Sequence, residues 1–594
     1  MENTGILKSG EFLVKESNAN DIFIPEEFDE EQKMIEQTCY DFLEAEIFPN
    51  LDRIDNMEKG LMPELLKKAG ELGLLGIAIP EEYEGFGQSF VTQMLACEAI
   101  GAGYSFAVAY SADTGIGTLP ILYYGNDEQR KKYVSKLATG ELLGSYCLTE
   151  PNAGSDANSG KTNAVLSDDG KSYILNGQKM WITNAGFADV LTVFAKIDND
   201  RVLSAFIVEK DFPGITLNPE EKKMGIKGSS TRQIFFNDCK VPVENLIGKR
   251  GEGYRIALSI LHMGRIKLGA NVLGSAKKAI TESVVYANER KQFGQLISNF
   301  GAIKHKLAEQ VIRTFTTESA VYRVSNDIDN AIEKCKASGM DSGRATIEGI
   351  SHYAVEAAIL KVYGSEALDY VVDESVQIFG GMGYSAETLV ERGYRDSRIN
   401  RIFEGTNEIN RMLVVDTAMK RALKGDFDLF GEAQKVTDNL PNIKYSASKD
   451  EGYFEEKKRY IKSFKKAILL VINKATEKFE RKLMLEQEIL FNISNMIMEL
   501  YTSESNLLRT EKLESIKGSN DAAIYKDILD VNVYDAAGII QKSGFDAANS
   551  FAEGEELNSL INAISILTKT NGTNVKEARR KIADKLIEDN KYSF

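Results

Sequence analysis

The chain has 594 residues, 43% hydrophobic and 27% charged, enough to bury a large core and too many for one ordinary domain. Its formal net charge of −16 and pI near 5.1 leave no basic footprint for phosphate contacts, which argues against nucleic acid as a partner. Five scattered cysteines without a CxxC pair read as reduced thiols, and three histidines without ligand spacing give little material for a metal site or a Ser-His-Asp triad.

An N-terminal extension covers 1–27 and does not read as a secretory signal. Residues 28–145 read as a helical domain; "EQKMIEQTCYDFLEAEIF" sets Ile35, Cys39, Phe42 and Phe48 near one face. From 146 to 248 the character changes. The runs "SYILNG", "VLTVFAKI", "SAFIVEK" and "RQIFFNDCKVP", with Asn-Gly, Pro-Gly and Asp-Asn between them as turns, predict an antiparallel β domain. Helical periodicity returns over 249–425. Residues 426–454 are mixed and turn-rich, as a linker is. An additional helical domain is expected over 455–594, where Ile461, Phe464, Ile468, Val471, Ala475, Phe479 and Leu483 form one buried stripe. The longest apolar run, "AILLVI" at 467–472, is far below the ~20 residues of a membrane span, and a cytoplasmic, soluble protein is expected. The class is α+β, mainly α.

Several stretches carry chemically suggestive residues. In "YCLTEPNAGSDA" (146–157), Thr149, Gly154 and Ser155 offer hydroxyls and exposed N–H groups that suit a polar cofactor edge, or simply form a turn. "NGQKMWITNAG" holds the only tryptophan, Trp181, followed by Ile182 and Thr183, either core or a flat partner for a ring. Arg290 and Lys291 end a helix as dipole-favoured cations do. "VQIFGGMGYS" joins two helices through glycines whose backbone can approach a ligand, although no GxGxxG is completed. In "NRIFEGTNEINR", Glu404 follows Ile402 and Phe403, which suits a surface turn or a base in a dry pocket.

Taken together, the segments 146–155, 181–183, 290–294, 377–383 and 404–407 occur in the order and approximate spacing of the acyl-CoA dehydrogenase family, which the chain resembles from about 28 to 425. The resemblance implies an N-terminal helical domain, a middle antiparallel β domain and a C-terminal four-helix domain, with FAD bound between β domain and helices and touching two subunits. It implies that Tyr146, Leu148 and Thr149 flank the flavin, with Thr149 on its pyrimidine edge. Ser155, beside Gly154, would reach the pyrophosphate or the CoA arm, Trp181 and Ile182 would lie near the flavin, and Thr183 beside N5. Arg290, Gln292 and Phe293, with Gln377, Ile378, Gly380 and Gly381, would come from the neighbouring subunit. Thr406 and Asn407 would touch the ADP portion; Arg265 and Gly405 would face the substrate.

Glu404 falls on the family's base. Desolvation beside Ile402 and Phe403 is expected to raise its pKa toward the working range, so that it can take the α-proton of a thioester while a β-hydride passes to the flavin. Relatives that place the base just before the arginine of "MGRIKLG" have a carboxylate where this chain has Gly264. Gly301 stands where many relatives have a glutamine that binds the partner's FAD. The "NFG" form and the extra C-terminal helices resemble the very-long-chain branch, which implies a homodimer, long acyl-CoA substrates, an electron-transfer flavoprotein as acceptor and peripheral membrane contact, although the 461–483 stripe suits internal packing as well. An acyl-CoA oxidase and a non-catalytic scaffold on the same fold are the alternatives.

Overall fold

Side-chain caps start three of the N-terminal helices. In the computed structural model, which describes residues 7–445 and 451–594, Asp29 and Gln32 close a reciprocal capping box at the head of α1 (Glu30–Phe42). Next come α2 (Leu61–Glu71), α3 (Phe90–Gly101), α4 (Ser105–Ser111) and α5 (Asp127–Ala138), the last capped by Asn126 and Gln129 in the same way. Asp329, from a distant helix, caps α3 by accepting from the Phe90 and Val91 N–H groups at 2.7 and 3.0 Å.

The middle domain is one eight-stranded sheet in the order β6-β7-β3-β2-β4-β5-β8, with β1 also paired to β4. Its strands are β1 (Gly144–Cys147), β2 (Asn163–Leu166), β3 (Ser172–Thr183), β4 (Val190–Ile197), β5 (Ser204–Glu209), β6 (Ile215–Leu217), β7 (Thr231–Pro242) and β8 (Leu246–Ile247). Antiparallel pairs dominate, but β1 and β2 each run parallel to β4, so the sheet is mixed. One expected turn is absent. Asn176-Gly177 lies inside β3 at a register shift against β7, because a Cβ on Gly177 would come within 2.7 Å of the Thr162 backbone. The Asp198-Asn199 turn does form, both residues taking positive φ.

The four-helix domain is α6 (Gly253–Glu289), α7 (Gly301–Ala337), α8 (Ala354–Phe379) and, beyond the short α9 (Leu389–Ser397), α10 (Asn407–Leu423). Helix α6 crosses α3 at backbone contact: a side chain on Gly101 would strike the Asn271 carbonyl, and one on Gly274 the Glu98 carbonyl. The expected linker contains α11 (Leu429–Asp438), which packs through Leu429 and Ala433; residues 446–450 of that stretch lie outside the described ones. The appended helices are α12 (Tyr453–Phe479), α13 (Gln487–Lys517), α14 (Ala523–Phe551), α15 (Gly554–Leu567) and α16 (Val575–Asp589). The stripe from Ile461 to Ala475 is buried, while Leu483 reaches the core from the turn beyond α12.

This appendage is continuous with the rest. Val321 and Ile359 share one hydrophobic core with Ile468, Leu500 and Ile564. A chain of buried charges crosses the same boundary. Lys277 of α6 bridges Glu98 of α3 and Glu318 of α7, and Arg509 of α13 binds Glu318 at 2.6 Å and Glu26 at 2.7 Å. Burial alone would raise Glu318, but Lys277 and Arg509 together hold it below the ordinary range.

Candidate active site

Glu404 sits where the chain leaves a 3-10 turn (Arg398–Arg401) and enters α10. Two consecutive left-handed residues, Glu404 at φ 57° and Gly405 at φ 85°, turn the carboxylate back from the helix toward α6. A non-glycine residue in that region costs roughly 1–3 kcal/mol and persists only where the surroundings enforce it. Here they do. Arg265 Nε donates to the Glu404 carbonyl at 3.1 Å, and Asn410 Nδ2 donates to the carbonyls of Gly405 and Thr406 at 2.8 and 3.1 Å. Thr406 caps α10 through its hydroxyl, which accepts from the Ile409 N–H. Asn407 faces inward: its oxygen accepts from Lys361 Nζ at 2.7 Å and its amide donates to Ser365 and Glu366. The geometry thus gives Asn407 and Arg265 the work of holding the Glu404 loop, not a side chain turned to the cleft.

The carboxyl rests against Gly264. A Cβ there would lie 2.7 Å from Oε2 and 2.9 Å from Cδ, so the glycine is the space that the carboxylate fills. Oε2 is buried without a hydrogen-bond partner. Burial pushes the Glu404 pKa up to about 7, against the lowering pull of Arg265 and Lys361. Burial likewise brings the Lys361 ammonium down to about 7, opposed by Glu404 and aided by Arg265. A lone Lys in the apolar run "AAILKVYG" is the sequence signal for this residue, which motif reading passed over.

Glu404 and Thr183 line one cleft of roughly 690 Å³, partly open to solvent, between α4, the turn that follows it, and α6. Small or apolar groups such as Ala107, Val108, Ala112, Gly115 and Leu119 form one wall. The β domain supplies the opposite rim. Thr149 is fastened by its carbonyl, which accepts from the Met180 N–H at 2.9 Å, and Thr183 by its carbonyl, which accepts from Ser145 Oγ at 2.6 Å. Two distant sequence segments are thereby brought side by side with both threonine hydroxyls unspent among the described residues. Beneath them Lys179 Nζ, fully buried, donates to Glu150 at 2.6 Å and to the Leu148 carbonyl, while Glu150 accepts from the N–H groups of Lys161 and Thr162. Trp181, at φ 61° beside an irregularity in the β3–β7 pairing, is 52% exposed and not core, whereas Ile182 is buried. Tyr146 stacks edge-on against Phe194, its buried hydroxyl without a protein partner. Gly154 and Ser155 lie exposed on the loop outside this rim.

The remaining candidates gather elsewhere. Arg290 caps the C-terminus of α6, roughly 40 Å along the helix axis from Gly264. Gln292 and Phe293 follow on a tight hairpin, with Phe293 94% exposed. Tyr286 stacks on Phe379 at 4.0 Å, which sets this hairpin beside the glycine turn after α8. There Ile378 is buried, Gln377, Gly380 and Gly381 are exposed, and Gly380 takes φ 60° with open space around it.

Family models describe the same division. Acyl-CoA dehydrogenase N-terminal, middle and C-terminal domain models match residues 29–141, 145–239 and 251–419, and a second acyl-CoA dehydrogenase C-terminal domain model matches 463–565. The chain belongs to the acyl-CoA dehydrogenase family. It is 42% identical over 588 residues to a probable acyl-CoA dehydrogenase of Bacillus subtilis, with 99% of each covered. It is 41% identical over 381 residues to the human mitochondrial very long-chain specific acyl-CoA dehydrogenase, covering 63% of this chain and 54% of that protein. A crystal structure of acyl-CoA dehydrogenase complexed with FAD from Bacillus anthracis superposes with a TM-score of 0.96 at 44% identity, covering 99% of this chain and all of that one.

Proposed function

We propose that this protein is an FAD-dependent acyl-CoA dehydrogenase that converts long-chain acyl-CoA to trans-2-enoyl-CoA, acts as a homodimer and passes electrons to an electron-transfer flavoprotein. One observation carries the reading: a single carboxylate, Glu404, held over an acyl-sized cleft opposite Thr183, with a pKa near 7. FAD, when bound, would supply the acceptor for the β-hydride. Its fit is supported by the unspent hydroxyls of Thr149 and Thr183, the exposed indole of Trp181 and the unpartnered Tyr146 hydroxyl.

Glu404, ionised and without a hydrogen-bond partner at Oε2, removes the α-proton. Arg265 and Lys361 favour its charged form. The Glu404 N–H, which no backbone carbonyl takes among the described residues, is free to donate to the thioester oxygen as negative charge develops there. The exposed patch carrying Arg290, Gln292, Gly380 and Gly381 lies too far along α6 to serve the same end of a cofactor within one chain, which favours a partner's cofactor as its target.

An anaerobic titration with acyl-CoAs of graded length, followed by air, tests this reading. Bleaching of the flavin band that is strongest with long chains and persists in air is expected. Rapid recovery in air would move the assignment to an oxidase. Glu404→Gln should keep its FAD and lose about 10²–10⁴-fold in bleaching rate; a normal rate would remove Glu404 from its role.

A further inference from the structure

A buried cation ordinarily has a carboxylate beside it, because an unpaired charge is costly to take out of water. Three of the buried arginines obey this. Arg323 binds Glu504 at 3.0 Å, Arg392 binds Asp52 at 2.6 Å and Arg509 binds Glu318 at 2.6 Å. Arg265 of α6 is 3% exposed, and among the described residues no carboxylate lies within ion-pair distance of it. In that place stands His262, three residues earlier on the same helix face, with Nδ1 3.2 Å from Arg265 Nη1.

This contact fixes the state of the imidazole. A guanidinium has donors and no acceptor, so Nδ1 must offer its lone pair and the ring proton rests on Nε2. Burial, and then the charge of Arg265, bring the His262 pKa down to about 3, which leaves the ring neutral at every pH above that. A carboxylate at this position would also hold Arg265, but it would cancel the charge. A neutral ring holds the guanidinium and leaves its charge whole.

The charge is spent on the base. Arg265 Nε donates to the Glu404 carbonyl at 3.1 Å, and Nη2 lies 3.6 Å from where a Cβ on Gly405 would stand. Burial pulls the Arg265 pKa down, while Glu404 and Tyr254 hold it up. From α8, Lys361 also favours the Glu404 carboxylate, and it faces Glu366 of its own helix and Glu408 of α10. From β1, Tyr146 faces Glu404 un-ionised, since burial and that carboxyl raise its pKa far above the ordinary range.

We propose that His262 is a positioning residue for the base, a neutral acceptor that locks the Arg265 guanidinium onto the Glu404 loop and leaves its charge uncancelled. The proposal rests on reading Glu404 as the base. The test is the pH dependence of anaerobic flavin bleaching by octadecanoyl-CoA in the holoenzyme and in three variants of His262. The unmodified enzyme should show an inflection near pH 7, assigned to Glu404 by its loss in Glu404→Gln because Lys361 titrates in the same window. His262→Asp keeps an acceptor but sets a negative charge against Arg265, so the inflection should move up by about one unit. His262→Leu is neutral but leaves Nη1 without a partner. Its limiting rate above the inflection should fall about tenfold, short of the 10²-fold that a full 1 Å misplacement costs. His262→Gln, neutral and able to accept, should recover most of that loss. An inflection that stays in place in an FAD-loaded His262→Asp overturns the proposal, and so do equal limiting rates in His262→Leu and His262→Gln. Should His262→Asp fail to hold FAD, the comparison of Leu with Gln decides alone. No inflection in the unmodified enzyme overturns the reading of Glu404 and the role of His262 with it.

Discussion

Glu404 and Gly264 face each other so closely that one methyl group between them is a test of the base's placement. With the would-be Cβ of residue 264 at 2.7 Å from Oε2, Gly264→Ala must push the carboxylate aside. Misplacement of about 1 Å costs on the order of 10²-fold in rate. Stopped-flow bleaching should show that loss with FAD content unchanged, and a normal rate would mean that the loop moves freely. The pH dependence follows from the same burial. Below about pH 7 Glu404 carries its proton and cannot act, so the bleaching rate should climb through about 7 and level above it, with the inflection absent in Glu404→Gln. The stability sign is opposite: a carboxyl whose folded pKa is raised stabilises the fold fully below its unfolded value near 4.3, and that contribution is lost as pH rises through about 7. The motif made Glu404 legible, because Ile402, Phe403 and Gly405 flank it in one contiguous stretch. Gly264 as the space that the carboxylate occupies was not legible, since 140 residues of chain separate the two.

At the scale of elements, the rim beside Trp181 depends on an ion pair beneath it. Lys179 is fully buried, and its loss would strand the Glu150 carboxylate on two backbone N–H groups. Lys179→Met should cost about 3–5 kcal/mol in thermal or denaturant unfolding and lower the FAD content. A variant of unchanged stability that keeps its flavin would show that the loop at 148–155 holds itself. Strand periodicity announced β3, β4, β5 and β7 correctly. It failed at Asn176-Gly177, where the glycine answers to Thr162 on another strand and not to a turn. Helical periodicity did not announce α11 in the expected linker, because its two buried positions, Leu429 and Ala433, are too few to stand out among turn residues.

Across the whole molecule, Arg509 is one of the buried cations that tie the catalytic unit to the appendage. Burial would lower its pKa, yet Glu26 and Glu318 raise it above the ordinary range, so the cation is fully committed to both. Arg509→Leu leaves the buried Glu318 and the largely buried Glu26 short of a partner and should destabilise the fold by about 3–5 kcal/mol, visible by calorimetry. Adding Glu318→Gln should recover part of the loss. No recovery would place the damage in packing against Phe315, over which the guanidinium lies at 3.9 Å. The helix–β–helix–helix order was legible from periodicity; this charge network was not, because each member reads as an ordinary surface charge in its own helix.

The route of that network has a consequence for how the chain is made. Glu318 and its cation Arg509 are 191 residues apart. At roughly 5–20 residues per second, translation leaves the nascent three-domain unit for on the order of ten to forty seconds with an acidic seam awaiting its arginine. During that interval the ribosome-bound intermediate exposes the faces of α7 and α10 that the appendage later covers. The part of the core that α7 and α10 share with the appended helices is therefore the last to close.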